Sequence, residues 1–303
     1  MSMDRMCELF GKSRQAYYQR GKSTFDDSSR EEILRQMVDK QRQLMPRLGG
    51  RKLMHLIQPG LPEELQIGRD AFFDFLRNNG LLVRKRRNRA RTTYSNHWLR
   101  KYPNLIADFT PQRAHELLVS DITYIVTGEG FCYLSLVTDG YSRKVVGWEL
   151  GKTLEAKYTV NALKMAIKQL PRGIRGVFHH SDRGVQYCCD DYVKILKRNH
   201  FRISMTENGD PRENAVAERV NGILKQEWLN SMTFKTMEDV QLQLGRIIKI
   251  YNKHRPHSSL DMQTPENVHH LSLLIKRRWK NYYKKKMNDS FVTPNIVLSN
   301  IED

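Results

Sequence analysis

Three carboxylates stand at positions where an ionised group needs a chemical reason. Asp121 interrupts the apolar run LLVSDITYIV, where an isolated charge loses hydration at a cost of several kcal/mol unless it is paired or bound to metal. Asp182 closes a second apolar run, GVFHHSD, at the point where a chain leaves a sheet and a reactive group is naturally presented. Glu218 lies in ENAVAERVNGILKQEW, where Val216, Val220, Ile223 and Leu224 recur at helical spacing and leave Asn214, Glu218, Asn221 and Lys225 on the other face. Such all-oxygen ligands suit hard ions, Mg²⁺ or Mn²⁺, which keep positions open for water and phosphate. Two ions about 3.5–4 Å apart activate an attacking oxygen and stabilise a leaving one, which is the chemistry of in-line displacement at a phosphodiester. Lys225, two turns beyond Glu218, would face the nucleic acid. The spacing from Asp182 to Glu218 says little in a chain with 33 acidic residues. The weight rests on the combination of two strand-borne aspartates, a helix-borne glutamate and a lysine seven residues after it.

These groups need a scaffold. LLVSDITYIV, FCYLSLVTDG and KVVGWEL are short, rich in β-branched and aromatic residues, and separated by glycine-containing turns, which predicts three antiparallel strands. Val160, Leu163, Ile167 and Leu170 predict a helix ending at Pro171 and Gly173. GVFHHSD predicts a fourth strand, and Tyr192, Val193 and Leu196 another helix. A meander, a helix, a strand and further helices give an α/β layer of mixed strand direction, in the order of a ribonuclease-H-like domain. Asp139 in VTDGYSR reads as a turn residue rather than a fourth ligand. His180 shares a strand face with Asp182 and reads as a satisfied histidine. His254 and His257 are split by Pro256, and no cysteine pair completes a zinc set.

Upstream, MDRMCELF, the break at Gly11 and the cap at Ser13 suggest a helix-turn-helix over 1–22, and the polar KSTFDDSSR, 22–30, reads as a linker. A helical module over 30–95 follows. Ile33, Leu34, Met37 and Leu44 share one helix, Gly49 and Gly50 precede RKLMHLI, and RDAFFDFLRNNG stops at Gly80. The module ends in RKRRNRAR, whose Arg84, Lys85, Arg86, Arg87, Arg89 and Arg91 are candidate DNA contacts. The core spans 112–268, and a basic tail, 269–303, carries KRRWKNYYKKK with interleaved aromatics.

A net charge of +18 and a pI near 9.8 favour a polyanionic partner through counterion release. No run is long and apolar enough to cross a membrane, and no signal-peptide pattern opens the chain, so the expected location is cytoplasmic. Cys7, Cys132, Cys188 and Cys189 offer no disulfide framework.

SDITYI, HHSDRGVQY, SMTENGDPRENAVAERVNGILKQE and YNKHRPHSSL together resemble insertion-sequence transposases of the IS-three family, in their integrase-like, second-reading-frame product. GGRKLMHLI and GRDAFFDFLRNNGLLVRKRR resemble the helical module that precedes the core in that family. The resemblance implies that Asp121, Asp182 and Glu218 are the catalytic, metal-holding triad and Lys225 the basic residue that follows it. It further implies Mg²⁺ or Mn²⁺ as cofactor, 3′-end cleavage by water and attack of the freed 3′-hydroxyl on another phosphodiester. The partners implied are double-stranded DNA, a homo-oligomer and a short upstream-frame transposon protein. Val119 stands where the family often has Trp, and Glu213 where it often has Asp. Retroviral integrase is disfavoured because the first hundred residues hold a single cysteine, Cys7, and cannot supply a His-His-Cys-Cys zinc set. The rival class is a non-catalytic, sequence-specific DNA-binding regulator whose carboxylates serve as ion-pair partners, and the complete triad with Lys225 argues against it.

Overall fold

A computed structural model describes residues 3–9, 11, 13–83, 97–207 and 211–271. Helices α1 (Met3–Leu9), α2 (Arg14–Leu44), α3 (Gly50–Ile57) and α4 (Arg69–Asn78) form the N-terminal part. The expected linker over 22–30 is helical instead. That stretch holds neither proline nor glycine, so nothing in it stops the hydrogen-bond ladder once the flanking turns have formed. Gly80 ends the segment after α4 at φ 66°, a left-handed conformation that suits glycine at a helix terminus. The basic run of Arg84, Lys85, Arg86, Arg87, Arg89 and Arg91 and the tail from 272 lie outside the described residues.

The sheet contains β1 (Leu117–Thr127), β2 (Gly130–Asp139), β3 (Val145–Gly151), β4 (Phe178–Ser181) and β5 (Arg202–Met205), in the order β3-β2-β1-β4-β5. The first three strands are antiparallel, as a meander must be, while β4 and β5 run parallel to β1. Parallel pairing needs crossovers. These are supplied by α5 (Ala156–Ile167) and by α6 (Val185–Cys188) with α7 (Asp190–Arg198). The sequence reading missed β5, a four-residue strand too short for a periodic signal, although Phe201, Ile203 and Met205 alternate.

Strand alternation divides β1 between two layers. Leu118 packs with Val160, Leu163, Tyr192 and Leu196 of α5 and α7. Leu117 and Val119 pack with Ala217 of α8 (Ala215–Glu227), and Ile125 joins Val220, Ile223 and Leu224 of that helix. Gly147 in β3 is required by the crossing of α5, because a Cβ there would lie 2.1 Å from the Ala162 carbonyl oxygen. Helix α9 (Met237–Lys253) starts in a reciprocal capping box between Thr236 and Asp239, and α10 (Pro265–Leu271) follows.

The helical module shares its core with the sheet domain. Leu34, Val38, Leu53, Phe72 and Leu76 belong to the same apolar cluster as Trp228, Ile247 and Tyr251, and the Trp228 indole donates to the Leu44 carbonyl at 2.8 Å. This fixes α2 against the end of α8.

Candidate active site

Asp121 lies in the middle of β1, on the face covered by α8, and Asp182 is the first residue beyond β4. The last paired residues of these parallel strands are Val119 and His180. Continuing that register by two residues points Asp121 of β1 and Asp182, just beyond β4, toward each other, and the charge of Asp182 acts on the Asp121 carboxyl. Burial first, and then the charge of Asp182, push the Asp121 carboxyl up to about 7. Asn221 and the Ile122 amide oppose the rise, and Glu218 adds to it.

Two donors hold Asp121. The Ile122 N–H reaches Oδ1 at 2.9 Å, and the Asn221 amide reaches Oδ2 at 2.7 Å. Asp182 Oδ1 accepts from Gly184 N at 3.0 Å. The polar stripe of α8 and its N-cap faces β1: Asn214 donates to the Ser120 carbonyl at 3.0 Å, Asn221 to Asp121, and Lys225 to Thr123 Oγ1 at 3.3 Å. Glu218 belongs to that stripe and is exposed. The Lys225 ammonium also lies 3.8 Å from the centre of the Tyr124 ring. Burial lowers its pKa, while Asp121 acts in the opposite direction.

The structure therefore brings Asp121, Asp182, Glu218 and Lys225 together around the middle of β1 and the end of β4. Among the described residues, no group of three or more His, Cys, Asp or Glu side chains is placed so as to hold a metal ion as it stands. The donor chemistry nonetheless fits a hard cation, since Asp121 feels the like charges of Asp182 and Glu218 and the donors are all oxygen. Asn214 Oδ1, Asn221 Oδ1 and the Tyr187 hydroxyl are also buried without a hydrogen-bonding partner among the described residues.

Asn221 and Asn214 are the residues whose contacts sequence reasoning left unassigned. The available signal was their place, with Glu218 and Lys225, on one helical stripe. Tyr187 is buried close enough to Asp182 and Asp121 that burial first, and then those carboxylates, raise its hydroxyl pKa well above the usual phenolic range.

His180 is fully buried, with Nδ1 2.8 Å from Ser204 Oγ, and burial lowers its pKa to about 4. It is a neutral, hydrogen-bonded core histidine. Behind Asp121, on the opposite face, Ser120 Oγ, His179 Nε2 and Tyr192 OH form a buried polar network, with His179 2.9 Å from each hydroxyl. Val119 fills the small apolar patch under α8, and Glu213 accepts from the Glu207 amide at 2.6 Å.

Residues 111–211 and 199–265 each match the family described as Integrase core domain. With the ribonuclease-H-like sheet, this defines an enzyme of the polynucleotidyl transferase class. A protein of Shigella sonnei named Insertion element IS600 uncharacterized 31 kDa protein is 32% identical over 265 residues, covering 86% of this chain and 96% of that protein. Transposase InsF for insertion sequence IS3A of Escherichia coli (strain K12) is 34% identical over 200 residues, covering 65% of this chain and 69% of the relative. The chain belongs to the IS3 family of insertion-sequence transposases, and it acts on DNA. A solved structure described as the HTLV-2 integrase catalytic core domain in complex with magnesium (trimeric form) is 17% identical, with a TM-score of 0.42, covering 52% of this chain and 98% of that one.

Proposed function

We propose that this transposase cuts the 3′ ends of its insertion sequence and joins them to new DNA at Asp121, Asp182 and Glu218, with Lys225 against the substrate backbone. The observation that carries the reading is the placement of Asp121 on β1 and of Asp182 just beyond its parallel neighbour β4, with α8 laying Asn221 on the first. The three carboxylates would hold Mg²⁺ or Mn²⁺, two ions in all, which supply charge neutralisation at the attacking and leaving oxygens when bound.

Asn221 fixes the rotamer of Asp121 through Oδ2, and the Gly184 amide does the same for Asp182 through Oδ1. Lys225 offers a point charge to a phosphate, its ammonium held over the Tyr124 ring. In the first step a water oxygen bonds to phosphorus and the 3′ oxygen departs, leaving a 3′-hydroxyl. In the second, that hydroxyl bonds to a target phosphorus and displaces the target's own 3′ oxygen. Each step exchanges one P–O bond for another, and no external energy source is needed.

The modules before 112 and the basic run Arg84 to Arg91 would grip the element's ends. Two ends must meet, which calls for a homo-oligomer; a short upstream-frame protein is a candidate partner, and the bacterial cytoplasm the setting. No described helix is long and apolar enough to cross a membrane.

The test compares the full chain with Glu218→Gln on DNA carrying the element's ends, in Mg²⁺ or Mn²⁺. Binding without cleavage or joining by the variant supports the triad. Equal turnover by both proteins sinks it.

A further inference from the structure

The segment YNKHRPHSSL has no part in the carboxylate site, yet its side chains reach three separate elements of the catalytic domain. Tyr251 and Asn252 stand in the last turn of α9, and Arg255 follows that helix. The Asn252 amide meets the edge strand as a neighbouring strand would: its Oδ1 accepts from Val145 N at 2.9 Å and its Nδ2 donates to the Val145 carbonyl at 3.0 Å. The Tyr251 hydroxyl donates to the Arg143 carbonyl, in the β2–β3 turn, at 2.9 Å. Arg255, 1% exposed, grips Glu227, the last residue of α8, with Nε to Oε2 at 2.7 Å and Nη2 to Oε1 at 2.6 Å. Its Nη1 donates to the Pro256 carbonyl at 3.3 Å. One short stretch of chain thus holds the end of the sheet with one residue and the end of α8 with another.

Helix α8 carries Glu218 and Lys225, and its contacts with β1 run through Asn214, Asn221 and Lys225. Glu227 lies nine residues beyond Glu218, which at about 100° per residue is half a turn round the helix. Arg255 therefore holds α8 from the side away from Glu218, and the next residue, Trp228, is held by the Leu44 carbonyl at 2.8 Å. Two charges taken out of water lose about as much hydration as their attraction returns, so a buried pair of this kind adds little net stability. What the fork adds is geometry, because two parallel bonds fix both the rotation and the axial position of the last turn of α8.

We propose that Arg255 is a positioning residue for the carboxylate site, setting where Glu218 and Lys225 stand over Asp121 by joining the end of α8 to the segment that Asn252 ties to β3. This rests on the reading of Asp121, Asp182 and Glu218 as the catalytic triad. With side chains about 5 Å from the helix axis, a rotation of about 10° carries a carboxylate by about 1 Å. Misplacement of that size at a reacting centre lowers the rate about a hundredfold. Asn221 rides on the same helix, so the same rotation also shifts the donor that holds Asp121 Oδ2.

The test measures kcat, KM and DNA affinity of the full chain in Mg²⁺, on DNA carrying the element's ends. Arg255→Lys keeps the charge and loses the fork, whereas Glu227→Met combined with Arg255→Met removes both charges and fills the space. In each protein kcat falls about a hundredfold, the Mg²⁺ concentration for half-maximal rate rises, and KM and DNA affinity stay within about twofold of wild type. Tm of the double variant stays level or moves upward. A pair that only braced the fold would lower Tm of the double variant and leave kcat per folded molecule intact, which overturns the assignment. A loss of DNA affinity matching the loss of kcat overturns it as well. Arg255→Lys, assayed below its own Tm, decides the matter if the double variant does not fold. Unchanged kcat in both variants of an active wild type removes the role of Arg255 and leaves the triad standing. A wild type that binds the DNA and neither cuts nor joins it overturns the triad reading and the positioning role with it.

Discussion

Asp121 and Asp139 occupy adjacent strands of one sheet and offer the same cue in sequence, an aspartate inside or at the end of an apolar run. Their surroundings are opposite. Asp139 is 0% exposed, and its Oδ1 accepts from Tyr141 N at 3.1 Å, Ser142 N at 2.7 Å and Ser142 Oγ at 2.8 Å, while Oδ2 accepts from His115 N at 2.8 Å. Donors fill the space around that carboxylate, and it organises the β2–β3 turn. Asp121 has two donors and faces the charges of Asp182 and Glu218. A carboxylate ringed by N–H groups is scaffold, and one held among its own kind is available to a cation.

The comparison is broken most directly by exchanging charge for shape at each position. Asp121→Asn should reduce DNA cleavage and joining by at least about a thousandfold. The same change relieves repulsion, so Tm should rise by about 2–4 °C, equivalent to about 1 kcal/mol. A fall in Tm would show that Asp121 is scaffold as well.

Asp139→Asn should do the reverse. Its amide group would face N–H donors in place of an acceptor and cost about 3 kcal/mol in a urea unfolding titration, with activity per folded molecule retained. An Asp139→Asn protein of full stability would erase the distinction between the two sites.

The Asp139 region also carries an acid-sensitive group. His269 accepts or donates at 3.0 Å to Ser142 Oγ, and burial lowers its pKa to about 4 against the raising effect of Asp139. The unfolded chain binds the proton more readily, so stability is full above about pH 6.5, falls as pH drops below that value, and levels off near pH 4. At pH 5 the loss amounts to about 2 kcal/mol, and His269→Gln should remove it from the pH profile of Tm. A profile unchanged by the substitution would refute this assignment.

The smallest effect belongs to the support of Asp121. Asn221→Ala should lower kcat about tenfold and weaken the apparent affinity for Mg²⁺, with Tm nearly unchanged. Equal loss at every metal concentration would mean that Asn221 does not act through Asp121.

Much of this was legible in the sequence. The three antiparallel strands, α5 and α8 follow from residue periodicity, and the shared polar stripe of Asn214, Glu218, Asn221 and Lys225 follows from helical spacing alone. The turn reading of Asp139 is borne out by its bonds to Tyr141 and Ser142. The linker expected over 22–30 failed because polar composition marks a solvated segment without specifying its backbone. Strand β5 escaped because four residues are too few to show a period.

What the sequence by itself determined was local: which residues alternate, which share a helical face, where a charge sits against the apolar pattern, and the family motifs that carry the resemblance. Tertiary structure alone decided that Asp121 and Asp182 come near one another, since β1 and β4 are paired between segments 61 residues apart in number. It also decided that Asn221 meets Asp121 and that Arg255 meets Glu227. The physical reason is the same in each case: propensity and periodicity act along the chain, whereas the field at a buried charge is the sum over whatever distant groups the fold brings beside it.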